Sequence, residues 1–170
     1  MQNTLARRQF SLSDQLAFAC LSGDVNPIHL DPVAARRTVA GQCIVHGMHS
    51  LLWALDVLAQ ASVAAVTLRA RFLKPVFLDE DVRCAWDAPA GRLTLMVDDI
   101  KVVDVTLETG SPPVSDIIAA PPVPGRKAPA NRTFHDYLGR HPQPFEPHGD
   151  PDLAGKLFSD ATRLYGRQTI

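Results

Sequence analysis

Residues 48–73 read MHSLLWALDVLAQASVAAVTLRARFL, and this stretch decides the fold. Its first part places apolar side chains at helical spacing, at Leu51, Leu52, Leu55 and Leu58. The helix has little polar surface, which is typical of a helix covered by other elements on most sides. From residue 64 the apolar period changes to two, which indicates a strand. The sequence therefore predicts a long buried helix followed at once by a sheet.

Alternating apolar residues predict further strands on both sides of this stretch. The predicted strands are 4–10, 64–73, 82–86, 92–97 and 101–107. Asp98 and Asp99 separate the last two strands and are typical of a hairpin turn. We predict a first strand, then helices, then a meander of four strands. The fold class is α+β, with an antiparallel sheet wrapped around one buried helix.

Two short helices are predicted before the long one. Ser11 and Asp14 fit a capping box at the start of a helix over 13–21. Asp31 followed by Pro32 is an N-cap with proline at the first helical position, which predicts a helix over 33–37. Residues 22–27 between them have the composition of a turn.

Composition and charge exclude several classes of protein. The chain has 170 residues and a net charge of −1, so a strongly basic nucleic-acid binder is excluded. No apolar run approaches the roughly 20 residues of a membrane span, and no signal peptide is recognisable. The three cysteines, at 20, 43 and 84, form no CxxC pair, which argues against a zinc ribbon or a disulfide framework. We expect a cytoplasmic protein without a membrane span.

Proline divides the chain near residue 110. Ten of the 14 prolines lie at or beyond Pro112, and proline both fixes φ and removes a hydrogen-bond donor. We expect a domain at 1–109, a proline-rich linker at 110–130 and a C-terminal extension at 131–170. Within the extension, apolar residues at helical spacing predict an amphipathic helix near 151–165. The chain is also consistent with a fragment of a longer protein.

Residues 18–35, FACLSGDVNPIHLDPVAA, carry the chemistry. Asp24 and His29 flank a tight turn at Asn26-Pro27, because proline keeps the residue before it out of the helical region. A carboxylate and an imidazole held by such a turn can act together on one water molecule. The simpler interpretation is that Asp24 and Asn26 only form the turn and that His29 is packed inside the protein.

The SGDxNP-apolar-H motif resembles the signature of the MaoC-like hydratases, the R-specific enoyl-CoA hydratases. Two further blocks resemble the same family and occur in the family's order. They are Ile44–Met48 (IVHGM), which leads into the long helix, and 72–82, in which FLKPV is followed by D and V. The resemblance covers roughly 9–107 and leaves the extension out.

This resemblance implies a hot-dog fold, a homodimer with its sites near the subunit interface, and no cofactor or metal. The implied reaction is reversible syn hydration of a trans-2-enoyl thioester to the (R)-3-hydroxyacyl thioester. The thioester would be carried by coenzyme A or by an acyl carrier protein. Asp24 and His29 would be the acid and base, in an order that stays open, and Asn26 would hold the loop.

Gly47 is the fourth residue that we assign to catalysis. Hydroxide addition puts negative charge on the thioester oxygen, and free N–H groups at the start of the long helix can stabilise it. Gly47 is equally consistent with an ordinary glycine between a loop and a helix. We assign His46, Met48, Arg71 and Lys74 to substrate binding. His46 would orient the loop, while the two cations would meet the phosphates or an acidic carrier protein.

Two features depart from the family pattern. Some members carry a serine one to two turns into the long helix, but residues 52–55 contain none, and Ser50 is expected on a different helical face. Trp53 is large enough to shorten an acyl tunnel, although a core or interface position is at least as consistent with its sequence context.

Two alternatives to the hydratase remain open from the sequence. The same fold would serve a non-catalytic acyl-binding or scaffolding domain, or a thioesterase that uses a carboxylate, and fold alone cannot separate these functions. His46 and His49, with Asp24 or His29, also suggest a metal site, but a closed set of four ligands at a familiar spacing is missing, so we expect no metal.

Overall fold

The computed structural model describes residues 3–110 and 151–165. The first range begins with strand β1 (Asn3–Arg8) and three helices, α1 (Leu12–Ser22), α2 (Pro27–Leu30) and α3 (Pro32–Ala35). The long helix α4 (Gly47–Gln60) precedes strands β2 (Ala65–Phe72), β3 (Val82–Asp87), β4 (Arg92–Val97) and β5 (Ile100–Thr109). The second range holds helices α5 (Pro151–Leu157) and α6 (Ser159–Tyr165). The predicted linker at 110–130 lies almost entirely outside the described residues.

The five strands form one antiparallel sheet in the order β1-β3-β4-β5-β2. This order corrects the predicted four-strand meander, because β2 pairs with β5 rather than with β3. Residues 73–81 cross from one side of the sheet to the other instead of making a tight turn. Val76 accepts a hydrogen bond from the Val45 main chain, and the Asp79 N–H donates to Phe10. These contacts tie the crossing segment to the loop before α4 and to the connection between β1 and α1.

Helix α4 packs along the apolar face of the sheet. The side chains that face it come from β3, β4 and β5. Cys84 on β3 pairs with Leu95 on β4, and Leu93 on β4 pairs with Val105 on β5. Ala54 and Leu58 have no exposed surface. The prediction that this helix is covered on most sides is confirmed. Trp53 is buried and makes an edge-to-face contact with Phe10, which is a core position.

The C-terminal helices cover the side of α4 that faces away from the sheet. The structure has two helices separated at Phe158 where the sequence predicted one. Phe158 is fully buried and contacts the rings of Phe18 and His49. Asp56 on α4 accepts hydrogen bonds of 2.8 Å from the main-chain N–H groups of Asp160 and Ala161. A carboxylate of α4 therefore caps the N-terminus of α6.

The N-terminal caps of α1 and α3 form at the residues that the sequence predicted. The Ser11 and Asp14 side chains form the predicted reciprocal capping box on α1. Asp31 caps α3 through two main-chain N–H groups. Helix α2 was missed, although Asn26-Pro27 carries the same N-cap and proline signal as Asp31-Pro32. Among the described residues, none of the helices is long and apolar enough to cross a membrane.

Replacing Asp56 by alanine tests the attachment of the C-terminal helices. We expect Asp56→Ala to lower the free energy of unfolding by about 0.5–2 kcal/mol, because two N–H groups of α6 lose their acceptor. Urea denaturation of the full chain measures the change. Gln60→Ala, at the exposed end of the same helix, is the matched control and should stay within about 0.5 kcal/mol of the wild type. An unchanged midpoint for Asp56→Ala would show that α6 does not depend on this cap.

Candidate active site

The loop that carries Asp24 is held by its own hydrogen bonds. Gly23 ends α1 with a left-handed φ of 73°, a conformation that favours glycine. The Asn26 main-chain N–H donates to Asp24 Oδ1 (3.1 Å), and Asn26 Oδ1 accepts from the Ile28 N–H (3.1 Å). These bonds use Oδ1 of Asp24 within the loop, while Oδ2 faces His29 and His46.

His29 faces Asp24 through its Nε2 atom. Its Nδ1 lies 2.8 Å from the Ile44 carbonyl oxygen, which can only accept, so Nδ1 carries the proton. In the neutral ring the lone pair is then on Nε2, and Nε2 lies 3.9 Å from Asp24 Oδ2. A water molecule between these two atoms would donate a hydrogen bond to each. Its own lone pairs would then face away from the protein atoms that hold it.

His46 lies directly behind His29. The two rings stack with centroids 3.9 Å apart and planes inclined by 25°. His46 Nε2 is 3.0 Å from the Asp24 carbonyl oxygen and 4.0 Å from Asp24 Oδ2. Burial and the neighbouring His29 lower the pKa of His46 to about 4, while the Asp24 carbonyl and carboxylate act in the opposite direction. His46 is therefore neutral at pH 7.

A cavity of about 340 Å³ opens beside His29, between the start of α4 and the end of β2. Its lining includes His29, Gly47, Ser50, Phe72, Lys74 and Val103. Three residues assigned from the sequence, His29, Gly47 and Lys74, thus share one cavity. Asp24 is half exposed and stands beside His29.

The N-terminus of α4 faces this cavity through Gly47. No side chain caps this end of the helix, so its first N–H groups lack the usual side-chain acceptor. A Cβ on residue 47 would lie only 3.0 Å from Phe72 Cε1. The close approach of the Phe72 ring gives a packing reason for glycine here, in addition to the proposed role in catalysis.

Three of the four residues assigned to substrate binding, namely His46, Met48 and Arg71, are absent from the lining of this cavity. Arg71 pairs with the buried carboxylate of Asp104, which also binds Arg92 and Lys101. Arg92, with help from Arg71 and Lys101, holds the pKa of Asp104 well below its usual range. Arg71 is therefore committed to an ion cluster on the sheet face opposite α4. Met48 is half exposed at the first turn of α4.

Asp24, His29 and His46 bring three possible metal-ligand atoms within 4.8 Å of one another. Zinc ligands lie about 2.0–2.1 Å from the ion in a tetrahedral arrangement. Asp24 Oδ2 lies 3.9 Å and 4.0 Å from the two Nε2 atoms, farther than two ligands of one tetrahedral zinc ion, so the observed spacing suits a bridging water better.

Three residues near the site were not found by sequence reasoning. Ser50 lines the cavity and donates a hydrogen bond to the Gly47 carbonyl (2.8 Å), although it was expected on another face. Gln15 and His49 are fully buried polar residues beside His46 and Phe18.

The family assignment rests on a match that extends over a whole domain. A family model of the MaoC-like domain matches residues 2–107, well over half of the chain. The chain belongs to the MaoC-like domain family. The resemblance seen in the sequence is confirmed, and the match ends close to the predicted end of the domain at residue 109.

Two curated proteins share parts of the MaoC-like domain. The protein MaoC of Klebsiella aerogenes is 35% identical over 75 residues, which are 41% of this chain and 22% of that protein. The (R)-specific enoyl-CoA hydratase of Aeromonas caviae is 45% identical over 47 residues, which are 28% of this chain and 35% of that protein. The matched parts thus span only about a fifth to a third of these relatives.

Solved structures share the fold. The (R)-hydratase from A. caviae involved in PHA biosynthesis superposes with a TM-score of 0.51 at 24% identity, covering 64% of this chain and 95% of that chain. A MaoC-like dehydratase from Rhodospirillum rubrum gives 0.53 at 16% identity, covering 64% and 88%. At these identities the likeness shows the fold alone. The predicted α+β hot-dog fold is confirmed.

His49 gives the stability of the domain a dependence on pH. Burial and the nearby Arg8 lower the pKa of His49 to about 3, and its ring nitrogens have no partner within the described part of the chain. Below about pH 6.5 the unfolded chain binds a proton at this histidine that the folded chain does not. Stability is therefore full above pH 6.5 and falls as the pH decreases towards 3, by about 1.4 kcal/mol per pH unit for each such histidine.

We expect His49→Leu to remove this contribution and to flatten the pH dependence, while the titration of His46 remains. Urea denaturation of both proteins at pH 7.5 and pH 5 measures the difference. The two proteins should differ more at pH 5 than at pH 7.5, with the variant favoured at the lower pH. Parallel pH profiles would contradict a buried neutral His49.

Proposed function

We propose that this MaoC-like domain hydrates a trans-2-enoyl thioester reversibly to the (R)-3-hydroxyacyl thioester, as a hydro-lyase. The observation that carries the proposal is the pair of acceptors, Asp24 Oδ2 and His29 Nε2, 3.9 Å apart at the edge of a cavity. The similarity to the (R)-specific enoyl-CoA hydratase of A. caviae and the family match support the same reaction class.

The pair would hold the attacking water. With both hydrogens donated to Asp24 and His29, the water oxygen presents a lone pair to the β-carbon of the substrate. As the new C–O bond forms, the water loses one proton to the pair, and the pair delivers one proton to the α-carbon. Delivery from the same side gives syn addition. One water is consumed, and no proton or electron is gained or lost overall.

The N-terminus of α4 would stabilise the enolate that forms during this addition. Negative charge develops on the thioester oxygen, and the helix end offers N–H groups and the positive end of its dipole. Gly47 places this end at the cavity wall. Removal of one such donor commonly costs about 2.7–4 kcal/mol of transition-state stabilisation. Asn26 holds the Asp24 loop in place through its two hydrogen bonds.

Lys74 is the cation that we propose for the carrier of the acyl group. It lines the cavity next to Phe72, where the phosphates of coenzyme A or of a carrier protein's pantetheine arm would enter. Arg71 has no such role in this proposal, because Asp104 already binds it. The three cysteines are unpaired, which fits the proposed cytoplasmic location.

We also propose a homodimer formed through β2. This strand is an edge of the sheet and leaves Val66, Leu68 and Phe72 between 42% and 50% exposed. An open edge with apolar side chains normally has to be covered. A second copy of the chain would cover this edge. The second copy would also lie beside the cavity, because Phe72 belongs both to the β2 edge and to the cavity lining.

Asp24→Asn tests the proposed reaction. The wild type should remove the conjugated enoyl-thioester absorbance of a short trans-2-enoyl-CoA without releasing thiol. Asp24→Asn should lose at least about 100-fold of that activity, since an amide cannot accept the water proton. Asp99→Asn, in the exposed β4–β5 turn, is the matched control and should retain full activity.

The same assay separates the alternatives. Thiol release detected with a thiol reagent would indicate a thioesterase. If neither enoyl loss nor thiol release occurs with coenzyme A or carrier-protein thioesters, the domain is a binding or scaffolding module.

Leu68→Lys tests the dimer. A lysine on the exposed edge should oppose its symmetry mate and reduce the mass in light scattering from two chains to one. Ile100→Lys, equally exposed at the β4–β5 hairpin, should leave the mass unchanged. A monomeric wild type, or a dimeric Leu68→Lys, would contradict an interface through β2.

A further inference from the structure

Gln15 is a buried residue that the proposed reaction does not use. It lies on α1 with no exposed surface. Its Oε1 accepts a hydrogen bond from the main-chain N–H of His46 (3.0 Å) and lies 2.8 Å from the Nδ1 of the same residue. Its Nε2 has no partner among the residues the structure describes. A buried unpaired donor is unfavourable, so the hydrogen bonds of Oε1 are what maintain this orientation of the amide.

The main-chain hydrogen bond fixes which way the amide points. If the amide were reversed, its NH₂ group would face the His46 N–H, and two donors would oppose each other. Oε1 therefore faces His46. Oε1 can only accept hydrogen bonds, so the atom that faces it at His46 Nδ1 is favoured to carry a proton, like the main-chain N–H of the same residue.

His46 faces an acceptor at each ring nitrogen, but a neutral ring has one proton. Nδ1 faces Gln15 Oε1 at 2.8 Å, and Nε2 faces the Asp24 carbonyl oxygen at 3.0 Å. If the proton were on Nε2, the lone pair of Nδ1 would face the lone pairs of Gln15 Oε1 over 2.8 Å, the shorter of the two distances. Oε1 cannot turn away, because it also accepts the main-chain N–H of His46. A proton on Nδ1 leaves the weaker repulsion, on the side of the half-exposed Asp24 loop.

The position of His46 matters because its side chain contacts both residues of the proposed catalytic pair. Its ring stacks against His29 and reaches the Asp24 backbone, so it contacts both proposed catalytic residues. With the proton on Nδ1, Nε2 carries a lone pair and lies 3.0 Å from the Asp24 carbonyl oxygen and 4.0 Å from Asp24 Oδ2.

We propose that Gln15 is a positioning residue: its carboxamide oxygen holds His46 as the Nδ1–H tautomer and keeps that ring stacked behind His29. The assignment rests on the proposed hydratase function for its catalytic consequence. The tautomer itself is a property of the folded protein and does not depend on the reaction.

The first experiment reads the tautomer of His46 in the full chain. Nitrogen-15 NMR of histidine-labelled protein at pH 7.5 distinguishes protonated from unprotonated ring nitrogens, and His46→Gln identifies the signals. We expect the proton of His46 on Nδ1. A proton on Nε2 would overturn the proposal without the need for any Gln15 variant.

The second experiment changes Gln15. Gln15→Met keeps the length of the side chain and removes the acceptor, so the His46 proton should move to Nε2, towards the Asp24 carbonyl. We expect kcat to fall between about 10-fold and 100-fold with KM changed by less than about twofold. Gln15→Glu keeps an acceptor oxygen and should retain a proton on Nδ1 and recover part of kcat. Leu16→Met, exposed on the same helix, is the control and should match the wild type.

The outcomes separate the two proposals. A wild type that shows the Nδ1–H tautomer but no hydration would remove the proposed function and leave the Gln15–His46 geometry established. An active Gln15→Met with unchanged kcat, or one whose His46 keeps its proton on Nδ1, would overturn the positioning role. If Gln15→Met and Gln15→Glu lost kcat equally while both kept the wild-type tautomer of His46, the effect would be one of packing alone. That result would also overturn the positioning role of Gln15.

Discussion

The burial of α4 on two sides is the constraint on which the rest of the structure depends. The sheet covers one side and α5–α6 cover the other, so the helix has a fixed position and direction. Its N-terminus is thereby held at the wall of the cavity, next to the crossing segment that carries Lys74. A helix with one free side could shift along the sheet, whereas one packed on both sides holds its end in a fixed place for chemistry.

The interior near this helix end is more polar than stability alone would favour. Gln15, His46 and His49 are buried together with aromatic rings, and several of their nitrogen atoms lack partners within the described residues. Apolar residues at Gln15 and His49 would avoid the cost of burying unpaired polar groups. The arrangement stacks a neutral His46 on His29 beside a carboxylate that solvent still reaches.

The sequence was sufficient for most of the local structure and for locating the loop that carries the proposed catalytic residues. Ser11, Asp14 and Asp31 cap the predicted helices because caps depend on only a few neighbouring residues. The partner of β2 could not be predicted, since strand order depends on where a crossing segment is fastened. The roles of Gln15 and Ser50 were also out of reach, because they are set by distances between α1, α4 and the loop at His46. Arg71 was assigned to substrate on charge alone, and only the strand register shows Asp104 opposite it.

The cap that Asp56 places on α6 joins residues more than 100 positions apart. During synthesis the sheet and α4 are complete about 50 residues before α6 emerges. At about 5–20 residues per second, the uncovered side of α4 waits for roughly 3–10 s. Phe158, which contacts the rings of Phe18 and His49 in the folded domain, has not yet been made during that interval. Helices α5 and α6 therefore determine how long this side of the nascent domain stays uncovered, and a slow stretch of translation between residues 110 and 160 would lengthen that period.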